Sequence, residues 1–488
     1  MMRIYNTLFR RKEVLKTQKS RKLNLFVCGI TPYDFAHLGH ARTYLVFDAF
    51  AKYLRSAGYN VFYLQNVTDV DDKIIKRAKE LKKSWKPLSR MFEREYLNDM
   101  KTLGVNSVDR YARATDHIAE IISQVKRLLK KGYAYEIENE GIYYNVKKFT
   151  EYGKLSRRTV QQAEDGVSRI DESVHKRNKG DFALWKYSKP GEPSWSFDSQ
   201  SSLRTGLPAG RPGWHIEDTA ITEKYFGAHY DIHGGGRDLM FPHHEAEIAQ
   251  MEAISNPPSP PLRQGYAGRA RLRRASKKPL AKYWMHTGFL TREGKKMSKS
   301  LGNFITISNF LKQHSPRVLR LLVLKAHYRS PIDYSEKLVA QTKRELERID
   351  EFVEKLGQTT NEGHKSLVIN HKLFFQALED DFNTPKAIAV VFDLVRKTNP
   401  LLSRNALGKK EAKEILAFLH EMDTIFGFIF AKQKISSAPN EIKKLVEQRE
   451  QYRKEKLWNK ADELRKKLLG KGWQLDDTPQ GPKLKTIN

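Results

Sequence analysis

The sequence predicts an α/β fold in which a parallel-sheet domain carries an inserted subdomain and is followed by an all-α region. Near the N-terminus a strand pattern, a turn, a helical pattern and a second strand succeed one another within about 45 residues. Such a βαβ unit implies a parallel sheet with ligands at the carboxyl ends of its strands. A mostly helical stretch with one hairpin interrupts the strand pattern from about 71 to 200, and beyond about 330 helical periodicity replaces it.

The elements follow in order. Leu23–Val27 is a short apolar strand, 43–57 a helix and Asn60–Val67 a second strand. Helical patterns fill 71–131, and YAYEIENEGIYYNV (133–146) reads as a hairpin turning near Asn139 to Gly141. Strands resume near Trp214, at 230–233 and at 283–289. Residues 255–279, SNPPSPPLRQGYAGRARLRRASKKP, hold too few apolar side chains to offset their ordering entropy. They predict a disordered basic surface loop, with an arm that touches nucleic acid as the alternative. Helices are expected over 335–357, 368–380, 410–427 and 440–469. The domains are then 1–330 with the insertion at about 71–200, a helical bundle over 331–430 and a C-terminal helical domain over 431–488.

The chain has 488 residues, with 88 Lys and Arg against 57 Asp and Glu, a net charge of +31 spread along its length. That excess favours a polyanionic partner through counterion release, although solvated helix faces account for charge equally well. One cysteine excludes internal disulfides, and neither a signal peptide nor a long uncharged apolar stretch is evident. A cytoplasmic protein without a membrane partner is the expectation.

Two motifs carry chemistry. In LFVCGITPYDFAHLGHAR (25–42) the only cysteine, Cys28, ends the first strand, and His37 and His40 stand at the entrance of the first helix. Free backbone N–H groups and the helix dipole favour anions there, and two histidines one turn apart with Gly39 between them suit a phosphate chain. Lys296 and Lys299, within KMSKS followed by Leu301, Gly302 and Asn303, suit a loop that closes over a triphosphate. Singly, each pattern also fits a solvated loop or a helix cap.

Together, in this order, HLGH and KMSKS resemble the two signatures of class I aminoacyl-tRNA synthetases. Further segments narrow the resemblance to the cysteinyl-tRNA synthetase family: FVCGITPYD, NVTDVDDKI (66–74), DFALWK (181–186), GRPGWHIE (210–217), HGGGRDLMFPHHEAEIAQ (233–250), GKKMSKSLGN (294–303) and DDTPQG (476–481). Ile30 and Pro32 depart from the family's usual residues, and loop 255–279 is the main extra piece.

The resemblance implies a Rossmann-like catalytic domain, a C-terminal anticodon-binding domain and one zinc ion per chain. The metal ligands it implies are Cys28, His243 and Glu247, with Asp218 where the family has a second cysteine. Aspartate binds zinc through oxygen and keeps the formal ligand charge, but it makes the site harder. His215, Glu217 or His244 are the alternatives to it, and loss of the metal is the remaining one. A zinc ion separates cysteine from serine chemically, whereas pocket size alone is worth roughly 1–3 kcal/mol between near-isosteres.

By the same matching, Thr68 and Trp214 line the amino-acid pocket with Cys28. Gly29, His37, His40, Gly234, Gly235, Gly236, Asp238 and Lys299 surround ATP and the adenylate, and Lys296 and Lys299 act on the phosphates. Mg2+ accompanies ATP. Arg449, Arg453, Trp458, Asp462 and Asp477 are the tRNA candidates. The implied activity is attachment of L-cysteine to tRNA(Cys) by a monomer. A cysteine ligase of small-thiol biosynthesis and a non-catalytic tRNA-binding paralogue are the alternatives.

Overall fold

Two short antiparallel strands, β1 (Arg3–Asn6) and β2 (Arg11–Val14), precede the central sheet. The computed structural model describes residues 1–158, 173–197, 207–255, 278–297, 304–362, 369–430, 440–455, 457–478 and 481–486. Strand β3 (Lys22–Ile30) is buried without interruption from Leu25 to Cys28, the pattern of a strand covered on both faces. Helix α1 (Leu38–Ser56) follows, and β4 (Asn60–Val67) pairs parallel with β3, Lys22 opposite Asn60. The βαβ unit expected from the sequence is therefore present.

Beyond it, α2 (Asp72–Glu80) and α3 (Trp85–Thr102) lead to β5 (Arg110–Arg113), which pairs parallel with β4. The sequence led us to expect helix throughout 71–131, so β5 is a correction. Its four residues, RYAR, have no apolar run, and the exposed edge of β4 supplies the ladder that makes them a strand. After α4 (Ile118–Lys130) come β6 (Ala134–Ile137) and β7 (Gly141–Tyr144), the expected hairpin. Strands β8 (Phe182–Tyr187) and β9 (Gly210–Pro212) extend it into a four-stranded antiparallel sheet. The strand expected near Trp214 ends at Pro212, with one further bond from Gly213 N–H to the Leu184 carbonyl (2.9 Å) before the chain turns. Trp214 instead lies in the turn before α5 (Ile216–Phe226).

Strand β10 (Tyr230–Gly236), helix α6 (Glu245–Ser255) and strand β11 (Ala281–Thr287) complete the central sheet, whose order is β11-β10-β3-β4-β5, all parallel. The chain builds outward from β3 to β5 on one side and from β10 to β11 on the other. The carboxyl ends of the neighbouring strands β3 and β10 thus flank the switch point, where parallel sheets bind ligands. A small sheet of β12 (Leu290–Arg292), β13 (Lys295–Lys296) and β14 (Ile332–Tyr334) follows, with α7 (Ile307–Gln313) and α8 (Pro316–Leu324) between its last two strands. Residues 256–277 of the Pro/Arg-rich loop, and Lys299 with the rest of 298–303, lie outside the described residues.

The chain forms two compact units, one of residues 1–308 and 316–429, the other of 309–315 and 430–488. The first also contains the helices α9 (Glu336–Gly357), α10 (His371–Glu379), α11 (Thr384–Ser403) and α12 (Lys409–Phe426). The second contains α13 (Asn440–Lys454), α14 (Trp458–Gly470) and an antiparallel pair, β15 (Trp473–Thr478) and β16 (Gly481–Thr486). We expected no strand after about 330; β14 and this hairpin correct that. Leu475 faces Leu484 in the hairpin, but the aspartates and lysines around them leave no apolar alternation to read. Ile442, Leu468 and Leu475 form the small core of this unit. No helix among the described residues is long and apolar enough to cross a membrane.

Within the first unit one buried ion pair joins the first helix to the bundle. Arg320 of α8 donates to Asp48 Oδ2 of α1 (2.9 Å), to the carbonyl of Leu103 (2.9 Å) and to that of Phe426 at the end of α12 (2.6 Å). Asp48 Oδ1 accepts from the N–H groups of Asn106 and Ser107 ahead of β5. Burial alone would push this carboxyl up, yet Arg320 and Lys52 hold it below the usual carboxylate value. Removing one partner strands a buried charge, so Arg320→Ala should lower the unfolding free energy by about 3–5 kcal/mol in chemical denaturation at neutral pH. Because its folded pKa is depressed, the contribution of Asp48 is present above the unfolded value of about 3.9 and is lost as pH falls through the folded value. The stability gap between wild type and Asp48→Asn should accordingly narrow below about pH 4.

Candidate active site and metal centre

The entrance of α1 is built by two histidines and one glycine. Gly39 N–H donates to His37 Nδ1 (3.1 Å), His37 N–H donates to His40 Nδ1 (3.3 Å), and the rings stack with centroids 3.9 Å apart. The free N–H groups expected at this helix start are occupied. Leu38 N–H reaches the carbonyl of Ile305 (3.0 Å), and those of His40 and Ala41 reach the carbonyl of His37. Thr306 bridges His37, and Ile307 N–H donates to the Ala36 carbonyl (2.9 Å). The segment following KMSKS is thus laced onto HLGH, and the half-buried imidazole pair is what this end presents. Lys296 ends β13, its side chain outside the described residues.

A few residues earlier, the buried thiol of Cys28 lies near the end of β3. Its Sγ lies 3.1 Å from His244 Nε2, 3.3 Å from Asp218 Oδ2, 3.5 Å from His233 Nε2 and 3.8 Å from Glu247 Oε1. His243 Nε2 stands 3.0 Å from Asp218 Oδ2 and 3.3 Å from Glu247 Oε1. Two overlapping sets of four donors result, each with its ligand atoms within 4.8 Å of one another. They are Cys28, Asp218, His243 and Glu247, and Cys28, His233, His244 and Glu247. Of the three alternative ligands, His244 joins the second set. His215 and Glu217 join neither: His215 Nδ1 faces His243 Nδ1 at 2.8 Å, and Glu217 accepts from the Thr68 hydroxyl.

Outer atoms of the cluster are braced as metal-binding histidines are. His233 Nδ1 meets Tyr230 Oη (2.7 Å), and His244 Nδ1 meets His286 Nε2 (2.9 Å), which in turn rests on Thr7 Oγ1 (2.8 Å). Trp214, half-buried, stacks on His243 with centroids 4.3 Å apart. Sequence reasoning passed over His233, His286, Tyr230 and Asn66. The alternation of Trp284 and His286 on one face of β11 was a signal for His286.

Electrostatically the cluster is rich in acid. Burial pushes the Cys28 thiol well up, and Glu247 and Asp218 push it further. Burial likewise raises Glu247 and Glu217, with Asp218 adding to both, and lowers His215, His233 and His244. Burial thus disfavours a counter-charge on His215, His233 and His244. Glu247 Oε2 is buried without a hydrogen-bond partner. One sulfur, imidazole nitrogens and carboxylates within a few ångström match the donor set of a divalent metal, and binding would displace the protons that burial now retains on the thiol and Glu247. The residues fit such an ion.

The other expected residues are placed as follows. Thr68 is buried, while Asp238 is exposed at the carboxyl end of β10. The space a side chain would need at Gly234 is filled by the Phe47 ring (2.4 Å from a Cβ), and at Gly235 by that of His244 (2.8 Å), so packing already demands these two glycines. In the second unit Trp458 is 56% exposed, and Arg453 and Asp462 lie on α13 and α14. Arg449 corrects the expectation of a surface contact: it is 3% exposed and paired with Glu450 (2.5 Å). Asp477 lies in β15, its side chain outside the described residues.

Comparison with known proteins gives the same direction. The family described as tRNA synthetases class I (C) catalytic domain matches residues 14–260 and 268–344, and the DALR domain matches 373–431. A cysteine–tRNA ligase of Thermococcus gammatolerans is 42% identical over 503 residues, covering 100% of this chain and 99% of the relative. That of Methanococcus maripaludis is 41% identical with 100% of both covered, and that of Thermoplasma volcanium 42% with 98% of both. Among solved structures, methionyl-tRNA synthetase of Mycobacterium tuberculosis with methionyl-adenylate has a TM-score of 0.53 at 13% identity, covering 84% of this chain and 88% of its own. A LeuRS–tRNA–LeuAMS complex of Agrobacterium radiobacter has a TM-score of 0.56 at 11% identity, with 85% of each covered. These two likenesses speak for the fold. The chain belongs to the cysteine–tRNA ligase family of class I aminoacyl-tRNA synthetases.

Proposed function

We infer that this protein joins L-cysteine to the 3′ end of tRNA(Cys) with ATP, in the cytoplasm and as a monomer. The observation that carries the amino-acid choice is the buried thiol, carboxylate and imidazole cluster beside Trp214 and Thr68, at the carboxyl ends of β3 and β10. In the first step the cysteine carboxylate attacks the α-phosphorus of Mg-ATP and pyrophosphate leaves. In the second, a terminal ribose hydroxyl of the tRNA attacks the adenylate carbonyl, AMP leaves and the hydroxyl proton is lost. Neither step needs a protein nucleophile; both need positioning and charge stabilisation.

His37 and His40 serve the phosphates with Lys296 and Lys299, and Gly29, Gly234, Gly235, Gly236 and Asp238 surround the nucleotide. Thr68 and Trp214 close on the amino acid. Cys28, Asp218, His243 and Glu247 would hold zinc, which when bound takes a thiolate in preference to a hydroxyl. Residues 1–330 act as the catalytic domain with its insertion, 331–430 as a helical bundle and 431–488 as the anticodon-binding domain. Within the last, Arg453, Trp458, Asp462 and Asp477 are the contacts we assign to tRNA.

Purified protein should exchange pyrophosphate into ATP in the presence of cysteine and not serine, and chelation of its metal should remove that exchange. Folded, metal-loaded protein that exchanges nothing with cysteine overturns the reading. His40→Ala should lower the exchange rate by about 10²–10³-fold, the loss typical of one preorganised charge-stabilising group. Trp458→Ala should weaken tRNA binding by about 1–3 kcal/mol in filter binding, one lost base stack, whereas Arg449→Ala should act on thermal stability.

A further inference from the structure

The two oxygens of Asp218 have different work. Oδ2 faces the cluster, 3.0 Å from His243 Nε2 and 3.3 Å from Cys28 Sγ. Oδ1 faces away and accepts from the side-chain amide of Asn66 (2.5 Å). Asn66 is 3% exposed near the end of β4, and its own Oδ1 accepts from Gly29 N–H (2.5 Å). That second bond fixes which way the amide points. A backbone N–H can only donate, so the carbonyl end must face Gly29 and the NH2 end must face Asp218. The amide also reaches Thr68 Oγ1 (3.3 Å). Gly29 permits the approach, since a Cβ there would stand 1.8 Å from the backbone carbonyl oxygen of Asn66.

We propose that Asn66 is a positioning residue for Asp218: by holding Oδ1 it leaves Oδ2 alone for the metal, so that the carboxylate acts as a one-atom donor in place of a thiolate sulfur. The proposal rests on the reading of Asp218 as a metal ligand. A thiolate has a single donor atom and needs no such control. A carboxylate has two, and can bind through either, through both, or rotate away. Partners that hold the outer atoms of ligands typically tune metal affinity by about 10–100-fold. Asn66 does so here without adding charge to an already acidic site.

The test is a double-substitution comparison on full-length protein, with zinc affinity measured by competition with a chromophoric chelator. Asn66→Ala should weaken zinc binding by about 10–100-fold in the wild-type background. In the Asp218→Cys background, where no second oxygen exists, the same substitution should change affinity by less than about threefold. The cobalt-substituted protein gives an independent readout: Asn66→Ala should lower the visible absorption intensity as the freed carboxylate adds its second oxygen and the coordination number rises. Equal losses in both backgrounds, or no loss in either, overturn the proposal and leave Asn66 a strut between β3 and β4. Unchanged zinc affinity in Asp218→Ala would instead remove Asp218 from the ligand set and with it the premise. Should Asn66→Ala not fold, Asn66→Ser carries the same comparison, because its short hydroxyl cannot span Gly29 and Asp218 together.

Discussion

The structure is organised around the burial of Cys28, Glu217, Asp218 and Glu247 beside His233 and His244, whose own burial disfavours the charged imidazole. Withdrawing carboxylates from water is costly unless something else satisfies them, and here an amide, a hydroxyl, a thiol and the ring nitrogen of His243 do so only in part, leaving Glu217 Oε2 and Glu247 Oε2 without a hydrogen-bond partner. The shell behind these groups follows from the same constraint. Tyr230, His286 with Thr7, and His215 each hold the far nitrogen of an imidazole, and Asn66 holds the far oxygen of a carboxylate. A cluster so braced cannot relax by turning outward, so its negative demand is met by protons or by a cation.

Position follows from topology. Cys28 lies near the end of β3 and His233 on β10, two strands that are sequence-distant yet neighbours in the sheet. The imidazole pair is close by along the chain, because β3 ends at Ile30 and only the six residues 31–36 separate it from the N-cap His37 of α1. Helix α1 then carries this geometry inward. Its start is laced to 305–307, and its middle is tied by Asp48 and Arg320 to the end of α12. A rigid helix held at both places fixes the imidazole pair relative to the metal cluster without help from a ligand.

What the sequence made legible depended on whether a residue's neighbours lay along the chain or across it. Strand β4 matched its expected bounds because a doubly covered strand is an apolar run in its own right. Strand β5 and the hairpin β15–β16 are strands because of what they pair with, and RYAR or WQLDDT shows nothing of that. Among the site residues, His243 and Glu247 came from the family resemblance, and their separation of four suits two donors on one helix face. The geometry differs in detail, since His243 sits in a wide turn with extended Phe241 ahead of α6, and the two still lie 3.3 Å apart. Arg449 looked like its charged neighbours on α13 until its burial became visible. Asn66 could not be read, because its meaning depends on a carboxylate 152 positions away.

On the proposed ligand set, an aspartate where the family resemblance implies a second cysteine shifts where selectivity would come from. Two thiolates would make a soft site; with Cys28 as the one sulfur of the proposed set, oxygen and nitrogen donors outnumber it and a bound ion would be harder. A harder ion tolerates water and hydroxyls better, so discrimination in favour of a thiol falls more heavily on geometry. A carboxylate free to chelate would fill the coordination position that the substrate sulfur needs, and selection would fail by occupancy and not by affinity. In the role proposed for Asn66, confining Asp218 to one oxygen would keep that position open, and the amide of a neighbouring strand would then matter as much as the identity of the ligand it holds.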